Sequence, residues 1–282
     1  MYRHVSTIDM ARLSDLPLDI IGEIVDNLQD DLPALKAVAL TCPSLLLLCR
    51  KYIFRTIMLS PRSRSMRSFA SLLDSNPRIV DYVRNLVYLH APDSLRIIGD
   101  LDCTTFLYKF YRIQSLELTG NVTVKWSKLK PRLHESLSRI IHSVTQLNIS
   151  KIDEFPISIF IPCINLIELE LDLIDSMVDD INSYEHEYCA PDAVPQLQSL
   201  TLNSNLVRPC RPDRLTTLVN ARRSEHVPVL DFSNLRTLTV RICHDSDRVA
   251  VHALMKIIKK LETLSYQYRC MYLIYLCFIR CN

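Results

Sequence analysis

Two hydrophobic periods divide the chain. From Val83 onward, an apolar residue is followed three positions later by leucine and two after that by another apolar residue, seven times over. The copies are Val83-x-x-Leu86-x-Tyr88, Ile113-x-x-Leu116-x-Leu118, Val144-x-x-Leu147-x-Ile149, Leu166-x-x-Leu169-x-Leu171, Leu197-x-x-Leu200-x-Leu202, Leu235-x-x-Leu238-x-Val240 and Leu261-x-x-Leu264-x-Tyr266. The leucine and the apolar residue two after it share one side of an extended chain, so each copy predicts a short strand with one buried face. The central leucines lie 22 to 38 residues apart, which makes the repeat degenerate. Helices are expected in the gaps 93–111, 131–143, 211–223 and 245–260. In the last of these, Leu254, Ile257, Ile258 and Leu261 form an apolar stripe. Strand, helix and strand running the same way give a parallel sheet with right-handed crossovers, and stacking without closure makes a solenoid.

Ahead of the repeats the period is helical. Ile20, Ile21, Ile24, Val25 and Leu28 fall on one side of a helix over 16–28, with Pro17 in its first turn. Asp31-Leu32-Pro33 opens a second helix over 34–40, and Thr41-Cys42-Pro43 a third over 44–53. A three-helix piece of about forty residues does not bury all of its own apolar surface, so a partner groove is the expected complement. Residues 53–59 read as a short strand, and Arg62, Arg64 and Arg67 open a helix reaching Leu73. The expected divisions are a tail over 1–12, the helices over 13–58, a linking strand and helix over 59–82, the repeats over 83–269 and an atypical or truncated tail over 270–282. The apolar run 270–279 is read either as a strand ending the sheet or as the mark of a truncated frame.

The run Leu13, Leu16-Pro17, Ile20, Ile24, Leu28, Leu32, Leu35, Val38, Leu40 and Cys42 resembles an F-box. The resemblance implies that Leu16, Pro17, Ile20, Ile21, Ile24, Leu28, Leu35, Val38 and Cys42 dock on a Skp-type adaptor and through it on a cullin-RING ubiquitin ligase. It departs from the family at Leu45, where many F-boxes carry tryptophan three residues after the cysteine. Residues 83–268 look like an irregular leucine-rich repeat array. The two together resemble F-box proteins with leucine-rich repeats, a group abundant in mushroom-forming fungi. The expected fold class is therefore α/β: a short three-helix F-box, then an irregular leucine-rich-repeat solenoid with a parallel sheet. The function so implied is substrate recognition for the ligase, with a non-ligase repeat scaffold as the alternative.

Composition narrows the chemistry. Thirty-three basic and thirty-one acidic side chains leave a net charge of +2, which demands neither nucleic acid nor an anionic membrane as partner. The three glycines, Gly22, Gly99 and Gly120, are too scattered for a phosphate-cradling loop. Ten cysteines without a Cys-x-x-Cys pair or a secretion signal read as reduced thiols in an intracellular protein, cytoplasmic or nuclear. His186 with Glu185, Glu187 and Cys189, and the pair Cys277 and Cys281, lack a second ligand pair at metal spacing, and no hydrolase or nucleotide motif is present. The expectation is no catalytic group, no metal and no cofactor.

In a stacked array the residues flanking the buried leucines face the open side. They are Ser115, Glu117, Thr119, Asn148, Glu168, Glu170, Asp172, Ser199, Thr201, Asn203, Thr237, Thr239 and Arg241. Of these, Glu117, Asn148, Glu168, Glu170, Asp172, Thr201 and Thr239 are the candidate substrate contacts. The acidic bias at 168–172 continues in Asp175, Asp179, Asp180, Glu185 and Glu187, and it suits a basic segment of a protein substrate.

Overall fold

The computed structural model describes residues 17–60, 64–90, 104–174, 176–181, 193–203, 214–223, 227–242, 245–270 and 273–279. The chain divides into two compact units, Met1–Thr56 and Ile57–Asn282.

The first unit holds α1 (Leu18–Asn27), α2 (Leu32–Ala39) and α3 (Pro43–Ile53). Pro17 sits one position ahead of α1 rather than in its first turn, and its carbonyl accepts the first helical bond, from Ile21 N at 3.1 Å. Asp31 caps α2, its Oδ1 accepting from Ala34 N at 3.0 Å, and Pro43 opens α3 with no intrahelical donor lost. Ile21, Val25, Leu35, Ala39, Leu45 and Cys49 form the core of these helices, with Leu28, Val38, Cys42, Leu46, Leu48, Tyr52 and Ile53 packed against it. Outside that core, the Asp26 carboxylate accepts from Tyr52 Oη at 2.5 Å and from Lys51 Nζ at 3.0 Å, tying α1 to α3. Those two hydrogen bonds hold the Asp26 carboxyl below its usual range.

The second unit is built on one nine-stranded sheet. Its elements in chain order are β1 (Thr56–Leu59, starting at the boundary), α4 (Arg64–Ser75), β2 (Asn85–His90), α5 (Thr104–Leu107), β3 (Ser115–Lys125), α6 (Pro131–Ile141), β4 (Gln146–Asp153), β5 (Phe155–Pro156) and β6 (Glu168–Asp172). There follow β7 (Met177–Val178), β8 (Ser199–Asn203), α7 (Arg214–Asn220), β9 (Thr237–Ile242), α8 (Asp245–Ile257), β10 (Thr263–Cys270) and β11 (Leu273–Ile279). Strand order is β1-β2-β3-β4-β6-β8-β9-β10-β11, with β5 and β7 paired as a separate small sheet. From β2 to β10 every pairing is parallel, and β11 pairs antiparallel at the edge. The chain is thus mixed α/β with a mostly parallel sheet.

Register makes the repeat physical. Leu86, Leu116, Leu147, Leu169, Leu200, Leu238 and Leu264 stand directly opposite one another across the seven parallel strands. Tyr88, Leu118, Ile149, Leu171, Leu202, Val240 and Tyr266 form a second such row. The first six leucines of the first row are buried. A backbone ladder runs beside them. The carbonyl of Arg84 accepts from both Gln114 N and Ser115 N, at 2.7 and 3.1 Å. The pattern recurs from Gln114 to Thr145 and Gln146, from Thr145 to Ile167 and Glu168, and from Ile167 to Gln198 and Ser199. It continues from Gln198 to Arg236 and Thr237, and from Arg236 to Glu262 and Thr263. Each strand entry therefore hangs on the one before it, whatever the connection between them.

Those connections vary. α6 buries Leu133, Leu137, Ile140 and Ile141, and α7 buries Leu215, Leu218 and Val219. The 22 residues from Leu147 to Leu169 hold no α-helix; β5 and a 3-10 turn over Ile157–Phe160 fill the gap with Phe155, Ile157, Ile159 and Phe160. The expected helix over 93–111 falls largely outside the described residues, and its described part is the short α5. The stripe read for α8 needs correction. The helix ends at Ile257, so Ile257 is exposed, while Ala250, Val251 and Leu254 supply the buried side.

Neighbouring strands leave extended backbone at one shared position, inside β4 and just past β6. Lys151 and Leu173 follow the paired residues Ser150 and Asp172, and both adopt left-handed backbone, with φ of 57° and 54°. Gly120 follows Thr119, which pairs with Ser150. A Cβ at Gly120 would lie 2.4 Å from Val122 O and 3.3 Å from Lys151 O. Because both neighbours are backbone, Gly120→Ala is expected to cost about 1–3 kcal/mol. Leu169→Ala, which opens a cavity in the leucine row, is expected to cost about 2–5 kcal/mol. Ile164→Ala on the exposed side should stay within about 1 kcal/mol. The single tryptophan, Trp126, is buried in the second unit, so urea unfolding followed by its fluorescence measures all three.

Candidate interaction surfaces

In the helical unit the residues expected to meet an adaptor separate into three groups. Ile21 and Leu35 are buried in the unit's own core and do not reach its surface, a correction to their assignment as docking residues. The reason is phase: Ile21 and Val25 occupy the inward side of α1, one residue after Ile20 and Ile24. Leu28, Val38 and Cys42 are half-buried and packed against that core. Ile24 is half-buried, Pro17 and Ile20 are exposed, and Leu16 lies outside the described residues. Four leucines the helical stripe did not single out remain in water: Leu18 at 70%, Leu32 at 41%, Leu40 at 88% and Leu47 at 58% exposure. Leu40 and Leu47 are apolar out of phase with the buried residues of their helices, whereas Leu18 and Leu32 are in phase but stand at the first positions of α1 and α2.

In the sheet unit the polar residues alternate with the leucines and occupy the opposite face. Across neighbouring strands Glu117, Asn148, Glu170, Thr201 and Thr239 stand in one row. Glu168 lies in the row before it and Asp172 in the row after it. All seven expected contacts are therefore gathered on one side of the sheet; Glu168 is exposed and the other six are half-buried. Asn148 Nδ2 donates to Glu170 Oε2 at 2.9 Å, Asn203 Nδ2 to Glu170 Oε1 at 3.4 Å, and Ser150 Oγ to Asp172 Oδ2 at 3.2 Å. Asn148 Oδ1 is buried with no hydrogen-bond partner. Partial burial, then the like charges of Asp172 and Glu117, push the Glu170 carboxyl above its ordinary value. Arg241, donating to Gln267 Oε1 at 2.9 Å, is a basic residue on this face at its far side, near β10. Among the described residues, none of Glu117, Glu168, Glu170 and Asp172 makes an ion pair.

Of the acidic loop, Asp179 and Asp180 are described; Asp180 accepts from Ser158 N at 3.0 Å and Ser158 Oγ at 2.7 Å, which makes it structural. Asp175, Glu185, His186, Glu187 and Cys189 lie outside the described residues, as do the side chains of Cys277 and Cys281. Among the described residues no group of three or more His, Cys, Asp or Glu is placed to hold a metal, and no helix is long and apolar enough to cross a membrane. No protein-family model matches this chain, and neither a curated protein nor a solved structure matches it.

The Glu170 shift has a sign. A carboxyl whose folded-state pKa is raised opposes folding while ionised, and that penalty is relieved as pH falls through the raised value. Carboxyl NMR titration is expected to place the Glu170 midpoint above its ordinary 4.5. Asp172→Asn, which removes one like charge, should move it downward. A midpoint at or below the ordinary value would contradict the account.

Proposed function

We propose that this chain is the substrate-recognition subunit of a cullin-RING E3 ubiquitin ligase. In this reading the helical unit is an F-box that docks on a Skp-type adaptor, and the sheet unit is an irregular leucine-rich-repeat solenoid that holds a protein for ubiquitination. The observation that carries the reading is the set Leu18, Ile20, Leu40 and Leu47, left in water by a three-helix unit whose core is already filled by other residues. Each such side chain covered by a partner contributes roughly 1.5–3 kcal/mol, enough in combination for a stable complex. The order of helices and then leucine-rich strands supports the same reading.

The chemistry of the cargo follows from the polar face. Glu117, Glu168, Glu170 and Asp172 offer only acceptors when ionised, and Asn148 Oδ1 adds one more. Lysine and arginine side chains satisfy acceptors of this kind, so the bound segment is basic. Catalysis lies in the partners, and this chain supplies proximity.

The alternative is a repeat scaffold that engages no ligase. It draws on Leu45, which stands where the resembled family carries tryptophan and is turned wholly into the three-helix core. Capture of the full chain on an immobilised Skp-type adaptor separates the two. Ile20→Asp and Leu40→Asp are each expected to cut capture by about tenfold or more, a loss of roughly 1.4 kcal/mol, with helical content unchanged. Equal retention of wild type and both variants, or no capture at all, rejects the ligase reading.

A further inference from the structure

A recess lies along the edge where the parallel strands begin. Thr145, Ile167, Gln198 and Arg236 immediately precede β4, β6, β8 and β9, and the parallel course of those strands brings all four to the same edge. A cavity of about 530 Å³ opens here, bordered by Thr145, Ile164, Ile167, Val194, Gln196 and Gln198. Gln196 and Gln198 also border a second cavity of about 170 Å³, which ends on Asn234, Arg236 and Lys260. Because the two share Gln196 and Gln198 as a border, we read them together as one groove along this edge.

Its floor has little backbone to offer. The carbonyls of Thr145, Ile167, Gln198 and Arg236 each already accept two N–H groups. Recognition therefore falls to side chains, and these differ from end to end. At one end Ile164 is 52% exposed, with Ile167 and Val194 half-buried beside it. At the other stand the exposed cations Arg236 and Lys260. Arg236 makes one long ion pair, 3.3 Å to the exposed Glu262, and Lys260 has no ion pair among the described residues. From β4 to β10 the groove crosses four inter-strand gaps. At about 4.8 Å each they span about 19 Å, the length of about six extended residues.

The geometry points to a binding site for an extended peptide that lays an apolar side chain against Ile164 and Ile167 and a carboxylate against Arg236 and Lys260. The carboxylate takes Arg236 from Glu262, whose pair is solvent-exposed and weak. Two cations with no aromatic side chain lining the groove fit this occupant better than a nucleic acid strand, which calls for stacking platforms and a longer basic track. The site is separate from the acidic face and takes a ligand of opposite charge.

The test uses the purified full chain without adaptor, so its failure leaves the ligase reading standing. A library of short displayed peptides is selected against the chain, and the enriched peptide is measured by fluorescence anisotropy. Enrichment of an apolar residue followed by Asp, Glu or the terminal carboxylate is expected. Arg236→Glu and Lys260→Glu should each weaken that peptide by about tenfold or more. Glu262→Gln should tighten it, and Arg248→Glu, an exposed charge reversal on α8, should leave it unchanged. No enrichment, enrichment of basic peptides, or equal affinity for wild type and both groove reversals overturns the proposal. So does an equal loss in Arg248→Glu, which would reduce the effect to net charge.

Discussion

Everything in the sheet unit depends on seven strands keeping one register. A strand's side chains alternate with a period of two, so a slip of one residue in any pairing would turn leucine to water and carboxylate to the core. Two devices oppose that slip. Leu86, Leu116, Leu147, Leu169, Leu200 and Leu238 line up opposite one another and are buried together. Ahead of each strand, one carbonyl accepts two N–H groups from the next unit, a bond pair that only one alignment satisfies. The second device is independent of the length of the intervening chain. That is why a 22-residue connection with a 3-10 turn and a longer one with α6 deliver their strands to the same place.

The register also fixes the electrostatics. With leucines inward, Glu117, Glu170 and Asp172 are held close together on the other side. Their mutual repulsion and partial burial disfavour ionisation of Glu170, and the two asparagine amides that donate to it answer only part of that cost. The acidic character of this face is a consequence of which residues the sequence places between leucines, and the fold concentrates it into neighbouring rows.

Much of this was legible from the pattern alone, and the failures have physical causes. The strand rows and the gathering of Glu117, Asn148, Glu168, Glu170, Asp172, Thr201 and Thr239 follow from alternation, which is a local property. The helix stripe was less informative because a stripe about one hundred degrees wide spans both inward and flanking positions. It grouped Ile21 and Leu35 with Ile20, although the first two are core and the last is surface. Ile257 was misread for a related reason: the stripe assumes the helix continues, and α8 stops there. The groove at the strand entries carried no sequence signal. Gln196, Gln198, Asn234, Arg236 and Lys260 are ordinary polar residues until parallel pairing sets their strands side by side.

The contrast between the two units lies in what stacking makes possible. In the sheet, each strand's apolar side is covered by its neighbours and by the connections packed on it, so leucines at the repeat position have somewhere to go. The helical unit has no next repeat. Its six core residues fill the space between three short helices, and further leucines at positions out of phase with that core have no interior left to enter. Leu40 at the end of α2 contributes little to folding at 88% exposure, and Leu47 on the outer side of α3 leaves more than half of its surface in water at 58%. Their apolar area is nevertheless worth about 25 cal/mol per Å² to any contact that removes it from water. The free energy stored on that surface is thus available to association and not to folding, which makes replacing these leucines a probe of binding that leaves the helices intact.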